Sequence, residues 1–194
     1  MIISNIKQLE LEISNIKNDN IRDFTIKILE KIPDYFWEVA ASSTSRYHPS
    51  YALGAGGLVR HTKAAVRIAL ELFRCEAVQS YNDLDKDIII SALILHDTCK
   101  HGLNGSKYTV AEHPLVASQF IKNQKEICQL VDEKILNEIL LGIETHMGCW
   151  NYDYKTKKEV LPKPQKGKQV FIHMADYLAS RKCLEFNFDA ELST

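Results

Sequence analysis

The segment Asp85 to Asp97 reads DKDIIISALILHD: after an acidic start it is apolar nearly all round until it ends on His96-Asp97. A helix that is apolar on every side must be covered on every side, so this stretch predicts the central helix of a helical domain. Its apolar run, Ile88 to Leu95, falls far short of the roughly 18 residues of a membrane span. An Asp at the end of such a helix is costly to bury unless a cation or several hydrogen bonds match its charge.

The rest of the chain supplies the covering elements. Ile3, Ile6, Leu9, Ile13 and Ile16, then Phe24, Ile28 and Ile32, recur at steps of three and four, so residues 1–32 read as a helical arm interrupted near Asn18-Asp19-Asn20. Pro33 opens a short aromatic helix, PDYFWEVAA, because proline is tolerated at a first helical position. Ser42 to Gly57 is rich in Ser, Tyr and Gly and reads as a loop able to approach a ligand closely. Further helices are expected over 58–73, 85–96, 113–123, 132–146 and 169–183, with no convincing strand pattern and no internal repeat. The fold class is therefore all-α: a compact helical bundle over 42–184, an N-terminal helical arm over 1–41 packing on it, and a tail over 185–194. The arm's Ile/Leu stripe would also allow a homodimer, although packing on its own domain is the simpler reading.

With 194 residues the chain suits a single domain, and 24 Lys+Arg against 25 Asp+Glu leave a net charge of −1. That balance argues against a domain that holds nucleic acid mainly by bulk electrostatics. Five cysteines, odd in number and without a CxxC pair, speak against a disulfide framework or a cysteine zinc knuckle and read as reduced, cytoplasmic packing residues. The N-terminus has no basic region leading into a long apolar stretch, so neither a leader nor a membrane anchor is expected.

The informative residues are the histidines, seven in all. His61, His96, His113 and His146, together with Asp97 and Asp176, fall where successive helices begin or end. In an antiparallel bundle such positions converge in the core, a common place for metal sites. Imidazole with carboxylate suits Fe, Mn, Zn, Co or Ni. Asp97 has two oxygens, so it can bridge two cations while the adjacent His96 binds one.

At this point the sequence resembles the HD-domain superfamily of metal-dependent phosphohydrolases. The resemblance rests on GGLVRHT (56–62), ILHDTCK (94–100), AEHP (111–114), ETHMGCW (144–150) and HMADYLASR (173–181), in the order H…HD…H…H…D. It covers roughly residues 47–183. It implies that His61, His96, Asp97 and Asp176 hold a first metal, and that Asp97 bridges to a second held by His113 and His146. The cofactor would be two divalent ions per chain, of Fe, Mn, Zn, Co, Ni or Mg. Lys100 matches the lysine of the family's HDxxK pattern, expected to face the substrate phosphate. The stretch YHPSYALGAGGLVRHT also looks like the entry to HD domains associated with bacterial 3′-to-5′ exoribonucleases. The nucleic-acid-binding β-barrel that accompanies those domains is not found here.

The implied activity is cleavage of a phosphoester of a nucleotide, dinucleotide or short nucleic acid by a metal-activated water, with Asp97 and Lys100 as the catalytic residues. Arg60, Arg46, Lys107 and Arg181 are candidates to hold remoter phosphates, and His48 and His173 to line the pocket. Glu144 is a weaker candidate to orient a water or a histidine. Two alternatives stand beside this: a mixed-valence di-iron oxygenase using the same ligand pattern, and a non-catalytic nucleotide-binding module. The Lys155 to Lys168 segment, with six Lys and one Glu, reads foremost as a solvated loop. Nearby Trp150, Tyr152 and Tyr154 could stack on a base.

Overall fold

The computed structural model describes residues 5–44, 48–75 and 80–184. Among them eight α-helices are found and no sheet: α1 (Glu10–Ile13), α2 (Asp19–Leu29), α3 (Gly57–Leu72), α4 (Asp83–Leu95), α5 (His113–Lys122), α6 (Lys125–Cys128), α7 (Glu133–Thr145) and α8 (Lys168–Ala179). The all-α expectation is met.

The central helix is α4. Asn82 caps it, its side chain accepting from the Asp85 backbone N–H at 2.9 Å while Asp85 accepts in return from the Asn82 N–H. From that polar start Ile88, Ile89, Ile90, Leu93, Ile94 and Leu95 are all at most 2 % exposed. Burying each such side chain contributes about 1.5–3 kcal/mol. The cover comes from α2, α3, α7 and α8, all of which touch α4.

The N-terminal arm joins the same core. Leu9, Ile16, Ile21, Phe24 and Ile28 are fully buried and cluster with the α4 residues. The break expected near residues 18–20 is a helix start, where Asn18 accepts from the Ile21 N–H at 3.1 Å. Asp87 of α4 clamps it, its two carboxylate oxygens accepting from the backbone N–H groups of Lys17 and Asn18 at 2.9 and 2.8 Å.

Two local expectations shift. The aromatic segment after Pro33 forms only a 3₁₀ turn, Asp34–Trp37, and Pro33, with an extended ψ of 136°, precedes it and is not its first helical residue. The last helix ends at Ala179, not near 183. The lysine-rich segment is solvated as expected, with Lys155, Lys157, Lys158, Lys163 and Lys166 exposed. It is held at its base by an antiparallel bridge between Tyr152 and Glu159 and by buried Asn151, which donates its side-chain amide to the Leu161 carbonyl at 3.0 Å. Of the five cysteines only Cys99 is buried, so the packing role fits it and not the exposed Cys75, Cys149 and Cys183. Among the described residues no helix is long and apolar enough to cross a membrane.

Candidate metal centre

The six residues singled out above meet in the core. His61 lies one turn into α3, whose N-terminus is held close by Gly57: a Cβ there would stand 2.2 Å from the Ala52 carbonyl oxygen, so only glycine lets the 52 loop cross the helix start. His96 and Asp97 follow directly on α4 and His146 on α7, while His113 opens α5 and Asp176 lies in α8.

Three of the histidines share one local device. His96, His113 and His146 each direct Nδ1 at the carbonyl three residues back, of Leu93 (2.6 Å), Val110 (2.8 Å) and Ile143 (2.7 Å). For His96 and His146 that carbonyl belongs to the last turn of a helix, where carbonyls lack an intrahelical partner. A carbonyl only accepts, so each Nδ1 carries the proton, and Nε2 is the atom turned to the centre. His61, inside its helix, has no such carbonyl, and its Nδ1 is buried without a hydrogen-bond partner. Its Nε2 lies 2.9 Å from Asp176 Oδ1.

Asp97, 1 % exposed, divides the centre in two. Its Oδ2 faces His96 Nε2 at 3.4 Å and His61 Nε2 at 3.8 Å, and His96 Nε2 is also 3.4 Å from Asp176 Oδ1. Its Oδ1 faces His113 Nε2 at 3.0 Å and His146 Nε2 at 3.7 Å, and those two nitrogens are 3.3 Å apart. With both imidazoles neutral and their Nδ1 protons directed at the carbonyls, all three atoms on the Oδ1 side are acceptors, and Oδ1 then has no hydrogen bond. Acceptors packed this closely repel unless a positive charge lies among them. The donor set, imidazole nitrogens with carboxylate oxygens, is one that transition-metal and zinc ions take. His61, His96 and Asp97, then His96, His146 and Asp176, then Asp97, His113 and His146 each bring their ligand atoms within 4.8 Å of one another.

The two sides differ in charge. Burial opposes ionisation of Asp97, but the Lys100 ammonium at 2.5 Å from Oδ2, followed by His96, holds its carboxyl well below the usual carboxylate range. Asp176 is likewise held low, its burial outweighed by hydrogen bonds from His61 and His96. Burial opposes charge on His96 too, yet the Asp97 and Asp176 carboxylates raise its pKa to about 10. His146 goes the other way, down to about 3, through burial and then the charge on His96.

The remaining candidates are scattered. Lys100 is 9 % exposed and spends its ammonium on Asp97. His48 packs edge-on against the His61 ring at 4.9 Å, with its pKa lowered to about 2 by burial and the neighbouring His61. His173 donates through its Nδ1–H to the His146 carbonyl at 2.6 Å. Arg60 is turned to its own loop, donating to the carbonyls of Tyr51, Leu53 and Ala55. Lys107 is exposed, with its ammonium 5.5 Å from the centroid of the Tyr108 ring. Arg181 lies over Tyr177 and bonds Ser180 Oγ at 2.7 Å. Arg46 lies outside the described residues. Glu144 accepts from Ser118 at 2.5 Å and from Lys122 at 3.1 Å, tying α7 to α5 and leaving His146 to Ile143.

Two residues at the edge of the centre were not anticipated. Tyr35 OH donates to the Gly102 carbonyl at 2.8 Å and accepts from the His101 N–H at 3.0 Å, bracing the turn that follows Asp97. Tyr177 stacks on Trp150, with ring centroids 5.4 Å apart. The His173, Tyr177, Arg181 spacing of four was the available signal for the second, since such residues share a helix face. No family model, curated protein or solved structure matches the chain.

Proposed function

We propose that this protein is a metal-dependent phosphohydrolase of the HD-domain type, cleaving a phosphoester of a nucleotide, dinucleotide or short nucleic acid. The observation that carries the reading is the pair of oxygens of Asp97, each facing its own set of imidazole nitrogens, with Oδ1, His113 Nε2 and His146 Nε2 forming a buried knot of acceptors. His61, His96, Asp97 and Asp176 would hold one divalent ion, and Asp97, His113 and His146 a second. Bound there, such ions supply Lewis acidity toward a phosphoryl oxygen and lower the pKa of water toward neutrality.

The chain's own residues do the positioning. The Leu93, Val110 and Ile143 carbonyls fix three imidazole planes, so the ligand atoms are aimed before anything binds. Lys100 brings an ammonium to the Oδ2 side of Asp97, and on this reading that charge would also serve the oxygens of an incoming phosphate. An ammonium beside the centre supports phosphoester chemistry over oxygen activation, because phosphate oxygens carry the charge it complements.

The test is metal analysis of anaerobically purified protein together with a phosphate-release screen over nucleoside mono-, di- and triphosphates, cyclic dinucleotides and short oligonucleotides. About two divalent ions per chain and metal-dependent release from one of these classes is the expected result. Oxygen uptake with an organic substrate and no phosphate release would overturn it.

A further inference from the structure

The wall of the centre runs on into an aromatic stack. His146 is bonded through its backbone carbonyl to His173 Nδ1 at 2.6 Å, and the His173 ring lies 6.2 Å from that of Trp150. Trp150 in turn stacks on Tyr177, with centroids 5.4 Å apart and planes within 15°. The Arg181 guanidinium sits 4.3 Å from the Tyr177 centroid and 5.9 Å from that of Trp150.

The chain makes room for this arrangement. Gly148 has φ +58°, and a Cβ on it would stand 2.2 to 2.6 Å from three atoms of the His173 ring. Only glycine lets the turn after α7 lie against that imidazole, and the same turn delivers Trp150 to the Tyr177 face. Of the two tryptophans, Trp37 is 7 % exposed and belongs to the core, whereas Trp150 keeps 41 % of its surface open with Tyr177 on one side. Tyr154 is more exposed still, at 79 %, but the Lys157 ammonium lies 4.0 Å from its ring centroid.

We propose that Trp150, backed by Tyr177 and flanked by Arg181, seats the base of a nucleotide whose phosphate is received beside Asp97 and Lys100. This rests on the phosphohydrolase reading and narrows its substrate class to phosphoesters that carry an aromatic base. A flat π-system gains from stacking on an exposed indole, and the Arg181 guanidinium, 5.9 Å from its centroid, adds positive charge nearby. Because every base has a π-face, the seat discriminates base from no base more than one base from another.

The test has two arms. In the first, adenosine 5′-monophosphate is titrated into the protein, with and without Mg²⁺, while tryptophan emission is followed, and ribose 5-phosphate is the base-free control. The nucleotide quenches the wild type and the control does not; Trp150→Phe loses the quench, because buried Trp37 then provides the emission. In the second arm, kcat/KM for the two compounds is compared. The wild type favours the nucleotide by about 5- to 150-fold, the range that stacking one base on one ring supports, Trp150→Ala brings the ratio toward unity, and Trp150→Phe retains most of it. Absence of nucleotide quenching overturns the seat whatever the phosphate assay shows. Phosphate release from both compounds at equal efficiency, unaltered in ratio by Trp150→Ala, overturns the seat and leaves the hydrolase standing. Quenching without release of phosphate from any ester keeps the seat and removes the hydrolase.

Discussion

The two sides of Asp97 solve the same problem in different ways. Around Oδ2 the protein concentrates charge: two carboxylates, the Lys100 ammonium and an imidazole, His96, whose pKa is raised to about 10 by those carboxylates. Around Oδ1 it concentrates lone pairs: two imidazoles, each fixed by a carbonyl three residues back, aimed at an oxygen that has no hydrogen bond. The first side can neutralise itself with a proton and an ammonium. Among the described residues no Lys or Arg pairs with Oδ1, so a bound ion would matter more on that side. Buried charge and buried lone pairs are both expensive, and in this centre the chain matches the former more fully than the latter.

Asp97→Asn strikes both sides and carries the largest expected effect. It removes the shared anion while keeping the shape, so metal content falls to less than one ion per chain and phosphate release drops by at least about 1,000-fold, the equivalent of several kcal/mol of lost Lewis-acid stabilisation. Retention of the ions by this variant, read by elemental analysis alongside circular dichroism, would break the bridging role.

Next come single imidazoles. His113→Ala leaves the Oδ1 side one nitrogen and one oxygen, so that side stops holding an ion and the stoichiometry falls by one. His61→Ala leaves His96 and two carboxylates on the other side, so stoichiometry survives at saturating metal while affinity weakens by more than the roughly 10- to 100-fold that loss of an outer partner costs. Competition against a chelator separates the two. Equal losses of stoichiometry from both variants would erase the distinction between the sides.

The pH dependence is a smaller lever. The proton on His96 must leave before its Nε2 can bind an ion, so affinity on the Oδ2 side rises about tenfold per pH unit between about pH 6.5 and 10, with one proton released. His146, lowered to about 3, has no proton to lose there, so its contribution on the Oδ1 side is flat over that range. The sign for stability without metal follows from linkage. The raised pKa of His96 gives stabilisation that is full below about 6.5 and fades toward 10, whereas the lowered pKa values of His146 and His48 give stabilisation that is full above about 6.5 and fades as the pH falls. The thermal midpoint of metal-free protein is therefore greatest near about pH 6.5, and a midpoint that climbs steadily to pH 9 would refute the charged state assigned to His96.

The smallest effect belongs to a region remote from either side. Lys155, Lys157, Lys158, Lys163 and Lys166 are exposed, so replacing all five by Ser changes turnover by less than about twofold, as surface substitutions do. Lys168 is kept in this variant, because it pairs with Asp85 at 2.5 Å and Glu138 at 2.7 Å across three helices. A larger loss would bring the loop into the site.

How much of this was legible beforehand depended on the range of the interaction concerned. Helix class, the central place of Ile88 to Leu95 and the glycines before His61 are local or periodic properties, and amphipathic spacing or its absence writes them directly into the chain. The ligand candidates were legible too, because His and Asp at helix ends are few and the burial cost of Asp97 demands a partner. The fates of Arg60, Arg181 and Glu144 were not, since a long polar side chain bonds whichever carbonyl or carboxylate the fold brings near. Arg60 met Tyr51, Leu53 and Ala55, and Glu144 met Ser118 and Lys122. The sequence by itself determined an all-α chain with six ligand-type residues read at helix ends, of which the structure keeps four there and sets His61 and Asp176 inside helices. Only the tertiary structure decided that one oxygen of Asp97 faces charge and the other lone pairs, because that division depends on the direction in which four packed helices approach a single carboxylate.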